Sequence, residues 1–145
     1  MSREKERNYM DLNELSIQLA VASSKSNEFE SFIISSNSQD VLQVIVDGND
    51  ELPIFVTRTD EQVLCICYLF KENEIKAVQQ VELNDLLLQL NVPMPLSAFA
   101  KIDDRYATFG ALSTTSTFDQ IEHEIVTLAA NSIDALEAIS NYLTD

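Results

Sequence analysis

Apolar and polar positions alternate most cleanly between residues 98 and 112. Ala98, Ala100 and Ile102 interleave with Phe99 and Lys101, and Asp103-Asp104 supplies a polar turn. On the return run Tyr106, Thr108 and Gly110 share one face, with Ala107, Phe109 and Ala111 on the other. This period of two predicts a two-stranded ribbon. Gly110 inside a strand implies a bulge or the close approach of a helix or another backbone. Thr117-Phe118-Asp119-Gln120 then matches a capping box, in which Thr117 accepts from the Gln120 amide and the Gln120 side chain reaches back. Phe118, Ile121, Ile125, Leu128, Ser132, Ala135, Ile139 and Tyr142 follow at helical spacing. Val126, Ala129, Ile133 and Leu136 widen that stripe, so much of this long helix is expected to be buried.

Upstream, Asp11 and Glu14 can cap a helix whose Leu12, Leu15, Leu19 and Ala22 form one apolar stripe, ended by the polar run 23–27. Strands are predicted over 29–35, 41–46, 54–58 and 63–70, with Asp47-Gly48-Asn49-Asp50 the strongest turn signal between them. Pro53 is tolerated at the first residue of a strand or on an edge. The run Val63 to Phe70 is almost wholly apolar, which predicts a central strand covered on both faces. A short helix is expected over 82–91, with Leu83, Leu86, Leu87 and Leu90 inward, stopped by Val92-Pro93-Met94-Pro95. Segregated strands joined by tight turns give an α+β fold. It comprises an N-terminal helix, a largely antiparallel sheet of about five to six strands interrupted by a short helix, and a long C-terminal helix packed on the sheet. Residues 1–10 are read as a charged, flexible start and 11–145 as a single domain.

Composition narrows the function more than the fold. The formal charge is −15, and after Arg105 the chain has six acidic residues and no Lys or Arg. Such a surface repels phosphate backbones and anionic headgroups, which argues against nucleic-acid and direct membrane partners and favours a protein with a basic surface. The first eight residues lack the apolar run of a signal peptide, and no stretch approaches the roughly 20 apolar residues of a membrane span. Cys65 and Cys67 lie at i, i+2 on one strand face, where they pack as small apolar groups and cannot readily bridge. The cytoplasm is the expected compartment.

Candidate chemistry is sparse. His123 stands between Glu122 and Glu124, and neighbours at i±1 do not face one another on a helix, so no catalytic dyad follows. Two cysteines and one histidine cannot complete a four-ligand zinc site within one chain. The 47–51 segment lacks the calcium-loop spacing, and the Gly110 segment lacks the frame of a nucleophile elbow. No catalytic residue, cofactor or metal is therefore predicted.

Several segments together resemble the bacterial YjfI-like family, a domain of unknown function. They are Leu52-Pro53-Ile54-Phe55-Val56, Leu86 to Asn91, Met94-Pro95-Leu96-Ser97, Tyr106 to Ser113, Ile121 to Ile125 and Leu128 to Asn131. The resemblance covers most of residues 40–143 and brings no catalytic residues to carry over. A looser similarity in element order is to type III secretion chaperone-like and YbjN-like domains, which implies an acidic cytosolic domain, often dimeric, that binds segments of other proteins. YjfI-like proteins are associated by gene neighbourhood with PspA-like membrane-stress proteins, which implies a partner of that kind.

The leading expectation is a non-enzymatic binding module, a chaperone-like adaptor for another protein. Its candidate contact residues are Phe55, Tyr106 and Phe109 on the sheet and Glu122 and Glu137 on the last helix. The alternative is a small-ligand sensor or enzyme using the Ser113–Thr117 loop and His123. It predicts a deep polar pocket joining those residues, whereas a shallow aromatic groove or an exposed sheet edge favours the adaptor. A homodimer formed through the C-terminal helix is a third reading, and predicts a contiguous exposed apolar patch there.

Overall fold

The computed structural model describes residues 10–23 and 27–144. The start expected to be flexible therefore lies outside the described residues, apart from Met10, as do Ser24, Lys25 and Ser26 in the predicted helix terminator. Helix α1 spans Leu12–Ala22 and is followed by β1 (Phe29–Ile34), β2 (Val41–Val46), β3 (Ile54–Arg58) and β4 (Val63–Lys71). Helix α2 (Gln80–Leu90), β5 (Ala98–Ile102), β6 (Arg105–Leu112) and α3 (Phe118–Ala138) complete the fold, with short 3-10 turns at Glu72–Glu74 and Ser140–Tyr142. The six strands form one antiparallel sheet in the order β1-β2-β3-β4-β6-β5. The expected α+β architecture is the one found.

Local chemistry accounts for the boundaries. The Asp11 carboxylate accepts from the Glu14 N–H at 2.8 Å to cap α1. Thr117 and Gln120 close the predicted capping box on α3. Asp47 and Gly48 both take positive φ to turn from β2 towards β3. The Asp47 carboxylate also accepts from the Glu28 backbone and from Asn27, which holds it below the ordinary carboxylate range.

The three helices among the described residues lie on one face of the sheet. Leu15 and Leu19 of α1 and Ile121, Ile125 and Leu128 of α3 pack on Leu42, Val44, Ile54, Val56, Cys65 and Cys67. A second cluster gathers Leu83 and Leu87 of α2 with Phe70, Ile75, Tyr106 and Ile139. The register of β4 against β6 shifts between Tyr68 and Phe70, and Leu69, at the shift, packs against both clusters. The chain end is tied down separately. Leu143 bridges Ile75, and Thr144 donates to the Glu74 carbonyl at 2.8 Å.

Three expectations need correction. Among the described residues strand β4 is covered by helices on one face only: Cys65 and Cys67 are buried, while Leu64, Ile66 and Tyr68 opposite are half-buried. Ile133 of α3 is 46% exposed rather than part of a widened buried stripe. Helix α3 ends at Ala138, before Tyr142, because the chain turns into the 3-10 segment that reaches Ile75.

Candidate protein-binding site

Edge strand β5 and helix α2 flank a groove of about 250 Å³. Leu87, Leu88, Phe99 and Ala100 form its apolar lining, and Asn84, Asn91, Lys101 and Tyr106 bring polar groups to it. The Tyr106 hydroxyl donates to Asn84 Oδ1 at 2.6 Å and accepts from Gln80 Nε2 at 3.1 Å. Its ring stacks on Phe70 with centroids 4.9 Å apart. Lys101 Nζ pairs with Glu72 at 2.9 Å. The Gln80 and Lys101 hydrogen bonds lower the Glu72 pKa, and the Glu72 hydrogen bond raises that of Lys101.

The groove opens beside a strand edge that no strand of the described residues pairs, because β5 ends the sheet order. The Phe99 N–H points away from β6, and Asn91 Oδ1 accepts it at 2.6 Å. By the alternation of an antiparallel ladder, the Lys101 backbone faces outward in the same way. Leu88 is 69% exposed at the groove, with Val81 on the same stripe seven residues earlier and Val92 just beyond α2, both still more open.

Phe55 and Phe109 occupy a different surface, the sheet face opposite the helices. The register aligns Phe32, Gln43, Phe55, Ile66, Phe109 and Ala98 across all six strands. The Phe55 and Tyr68 rings meet at 5.8 Å, and the Arg105 guanidinium sits 3.9 Å from the Tyr68 ring centre. Tyr106 points the other way and is buried under α2, so the structure separates it from Phe55 and Phe109. It lines the α2–β5 groove instead.

On α3, Glu122 is half-buried and Glu137 exposed, more than four turns apart by helical rise. His123 is exposed. Ser113 bonds Thr115 through their hydroxyls at 2.9 Å, and Thr117 is engaged in the α3 cap. Neither the α2–β5 groove nor a second hollow, lined by Asp47, Leu52, Val126 and Ile133 among others, includes the Ser113–Thr117 loop or His123. Among the described residues no group of three or more His, Cys, Asp or Glu is placed to hold a metal ion, and no helix is long and apolar enough to cross a membrane.

One buried group escaped the sequence reading. Glu124 is 4% exposed, and its Oε2 has no hydrogen-bond partner among the described residues. It lies over Gly110, where a β-carbon would meet the carboxyl group at 2.7 Å. Burial raises its pKa against the opposing pull of His123. Its charge adds to burial in pushing the Cys65 thiol up to about 12. The signal was present in the spacing, since Glu124 falls on the apolar stripe between Ile121 and Leu128, and Gly110 marked the place of closest approach.

Comparison with known proteins places the chain. Over 128 residues it is 28% identical to the uncharacterized protein YjfI of Escherichia coli K12, covering 86% of this chain and 95% of that one, and YjfI of strain O157:H7 matches equally. In structure it is similar to the Yersinia pestis type III secretion chaperone SycH, solved in complex with a stable fragment of YscM2. That match has a TM-score of 0.51 at 16% identity and covers 83% of this chain and 95% of the other. The heterodimeric ExoU–SpcU complex of the Pseudomonas aeruginosa type III secretion system matches at TM-score 0.51 and 13% identity, over 82% and 92%. These likenesses show a shared fold. The family model of uncharacterized proteins conserved in bacteria, DUF2170, matches residues 9–143, and the chain belongs to that family.

Proposed function

We propose that this chain is a non-enzymatic protein-binding module, a chaperone-like adaptor that receives an extended segment of another protein between α2 and the free edge of β5. The carrying observation is the groove itself. Apolar walls from Leu87, Leu88 and Phe99 lie directly beside outward-facing backbone groups of an edge strand. Main-chain pairing supplies affinity in such a site, and pockets for alternate side chains supply selectivity. Asn91 Oδ1 stands where a carbonyl of an added strand would accept the Phe99 N–H. The structural relatives support the reading, since SycH is a chaperone seen with a YscM2 fragment and ExoU–SpcU is a heterodimeric complex.

The preferred partner carries basic flanks, because Glu82 and Asp85 edge α2 and Glu122 and Glu137 add to the acidic field of α3. A PspA-like membrane-stress protein is the partner that the family resemblance suggests, and the cytoplasm is where they would meet. The test compares tagged full-length chain with its Leu88→Glu variant, both captured at native expression and analysed by mass spectrometry. Leu88 is mostly exposed, so the variant is expected to fold. An enriched basic protein should be recovered with wild type, fall at least tenfold with the variant, and wash off at about 0.5 M salt as screening shortens the Debye length. A wild-type preparation that enriches no protein overturns the adaptor reading. A partner recovered equally by the variant overturns the groove as its site.

A further inference from the structure

We infer that the open sheet face is a self-association surface, onto which a second copy of this chain packs face to face about a twofold axis parallel to the strands. No helix covers this face among the described residues. Phe32 is 50% exposed and Ile34 39% exposed on β1, beside Val41 and Ile45 of β2. The far half carries small side chains at Ala98 and Ala100 on β5 and at Ala111 on β6, set around Phe109 and Ile102. The most exposed large side chains thus lie on β1, and the small ones lie on β5 and at Ala111.

A second copy fits that asymmetry. Rotation about an axis along the strands lays β1 and β2 of one chain over β5 and β6 of its partner. In the central row Phe32 then meets Ala98, and Phe55 meets Ile66, each contact occurring twice as an isologous interface requires. In a neighbouring row Val41 meets Ala111, and in the central row Phe109 falls on Gln43. Aligned sheets pack with their inner faces interdigitating, so large-over-small pairs are what the geometry needs.

Charge agrees with shape. The face belongs to a chain of net charge −15, yet its strand positions hold as charged groups only Glu30 on edge strand β1, Lys71 at the end of β4 and Arg105 on β6. The same rotation lays β1 with Glu30 over β5, one strand and one row from Arg105 on β6 of the other copy. The strong acidity lies on the remaining surfaces, α3 above all, and is kept outside the interface. This dimer has a salt dependence opposite to that of a basic partner. Two acidic copies repel at long range, so screening tightens their association.

Sedimentation equilibrium of the full-length chain over a protein-concentration series decides the matter. Wild type should dimerise, with a dissociation constant that falls several-fold between about 50 mM and about 500 mM NaCl. Phe32→Glu, at a half-exposed position, should keep the wild-type circular dichroism and weaken dimerisation at least tenfold. As a second measurement, Phe32→Cys/Ala98→Cys chains should be joined into covalent dimers by a bismaleimide spanning about 10 Å, the spacing of packed sheets. A wild-type chain that stays monomeric throughout overturns the inference. So does a dimer that survives Phe32→Glu but is lost in Leu88→Glu, which would move the interface to the groove. Because partner capture is read through Leu88, the adaptor reading stands or falls separately.

Discussion

Gly110 and Glu124 form the tightest constraint at the scale of single residues. The carboxyl group occupies the space that any larger residue at 110 would need, so Gly110→Ala must push it aside. We expect that substitution to cost about 1–3 kcal/mol, the range for strain or disturbed polar burial in a core. In a Glu124→Ala chain the space is vacant, and alanine exceeds glycine in a strand by roughly 0.5–1 kcal/mol. There Gly110→Ala should be neutral or stabilising. Urea unfolding of the four chains should therefore give a coupling energy of at least about 1 kcal/mol, and additive effects would mean that the contact imposes nothing. The same group sets a pH dependence. Burial raises the Glu124 pKa above its ordinary 4.5, so the folded chain holds the proton more tightly than the unfolded one. The stability from the protonated form is fully present below about 4.5 and is lost as pH rises through the folded value. Glu124→Gln should flatten that loss in urea midpoints measured from pH 4 upwards, without changing the slopes elsewhere.

At the scale of elements, much of the fold could be read from the chain because each signal was local. The 98–112 alternation, the Thr117–Gln120 box and the 47–50 turn depend on residues within one turn or one strand pair, and each is found where expected. Strand β4 shows where local reading stops. Leu64, Ile66 and Tyr68 look like residues under a second layer of helices, but the same pattern serves a face left open. The groove was equally hidden, because α2 and β5 meet only through tertiary packing and Asn91 reaches Phe99 across the prolines that separate them. The segment leading into α2 offers a test of its own. Val78 is fully exposed with φ of 61°, a left-handed conformation that a β-branched residue resists. Asparagine tolerates it, so Val78→Asn should raise stability by roughly 1 kcal/mol, within the 1–3 kcal/mol stored in such strain. An unchanged or lower urea midpoint would show that the turn is not strained by valine.

At the scale of the whole molecule, the balance of charge governs stability as well as association. With 24 acidic residues against nine Lys and Arg, most carboxylates have no cation to spare, and after Arg105 there is none at all. The Lys101–Glu72 pair is about 40% exposed on each side, and exposed pairs of this kind add little to stability. Added salt therefore weakens little attraction while it screens the mutual repulsion of α3 and the acidic turns. The folded chain concentrates that charge more than the unfolded one, so screening should favour folding. To keep dimerisation out of the measurement, the Phe32→Glu chain is unfolded by urea at about 20 mM and about 500 mM salt, on either side of the screening range. Its midpoint should rise, and should rise equally with sodium chloride and choline chloride, because screening does not depend on which monovalent cation supplies it. A midpoint that falls would mean that attractive pairs outweigh repulsion. In that case the acidic surface would be already neutralised within the fold, and the attraction for a basic partner would have no field to draw on.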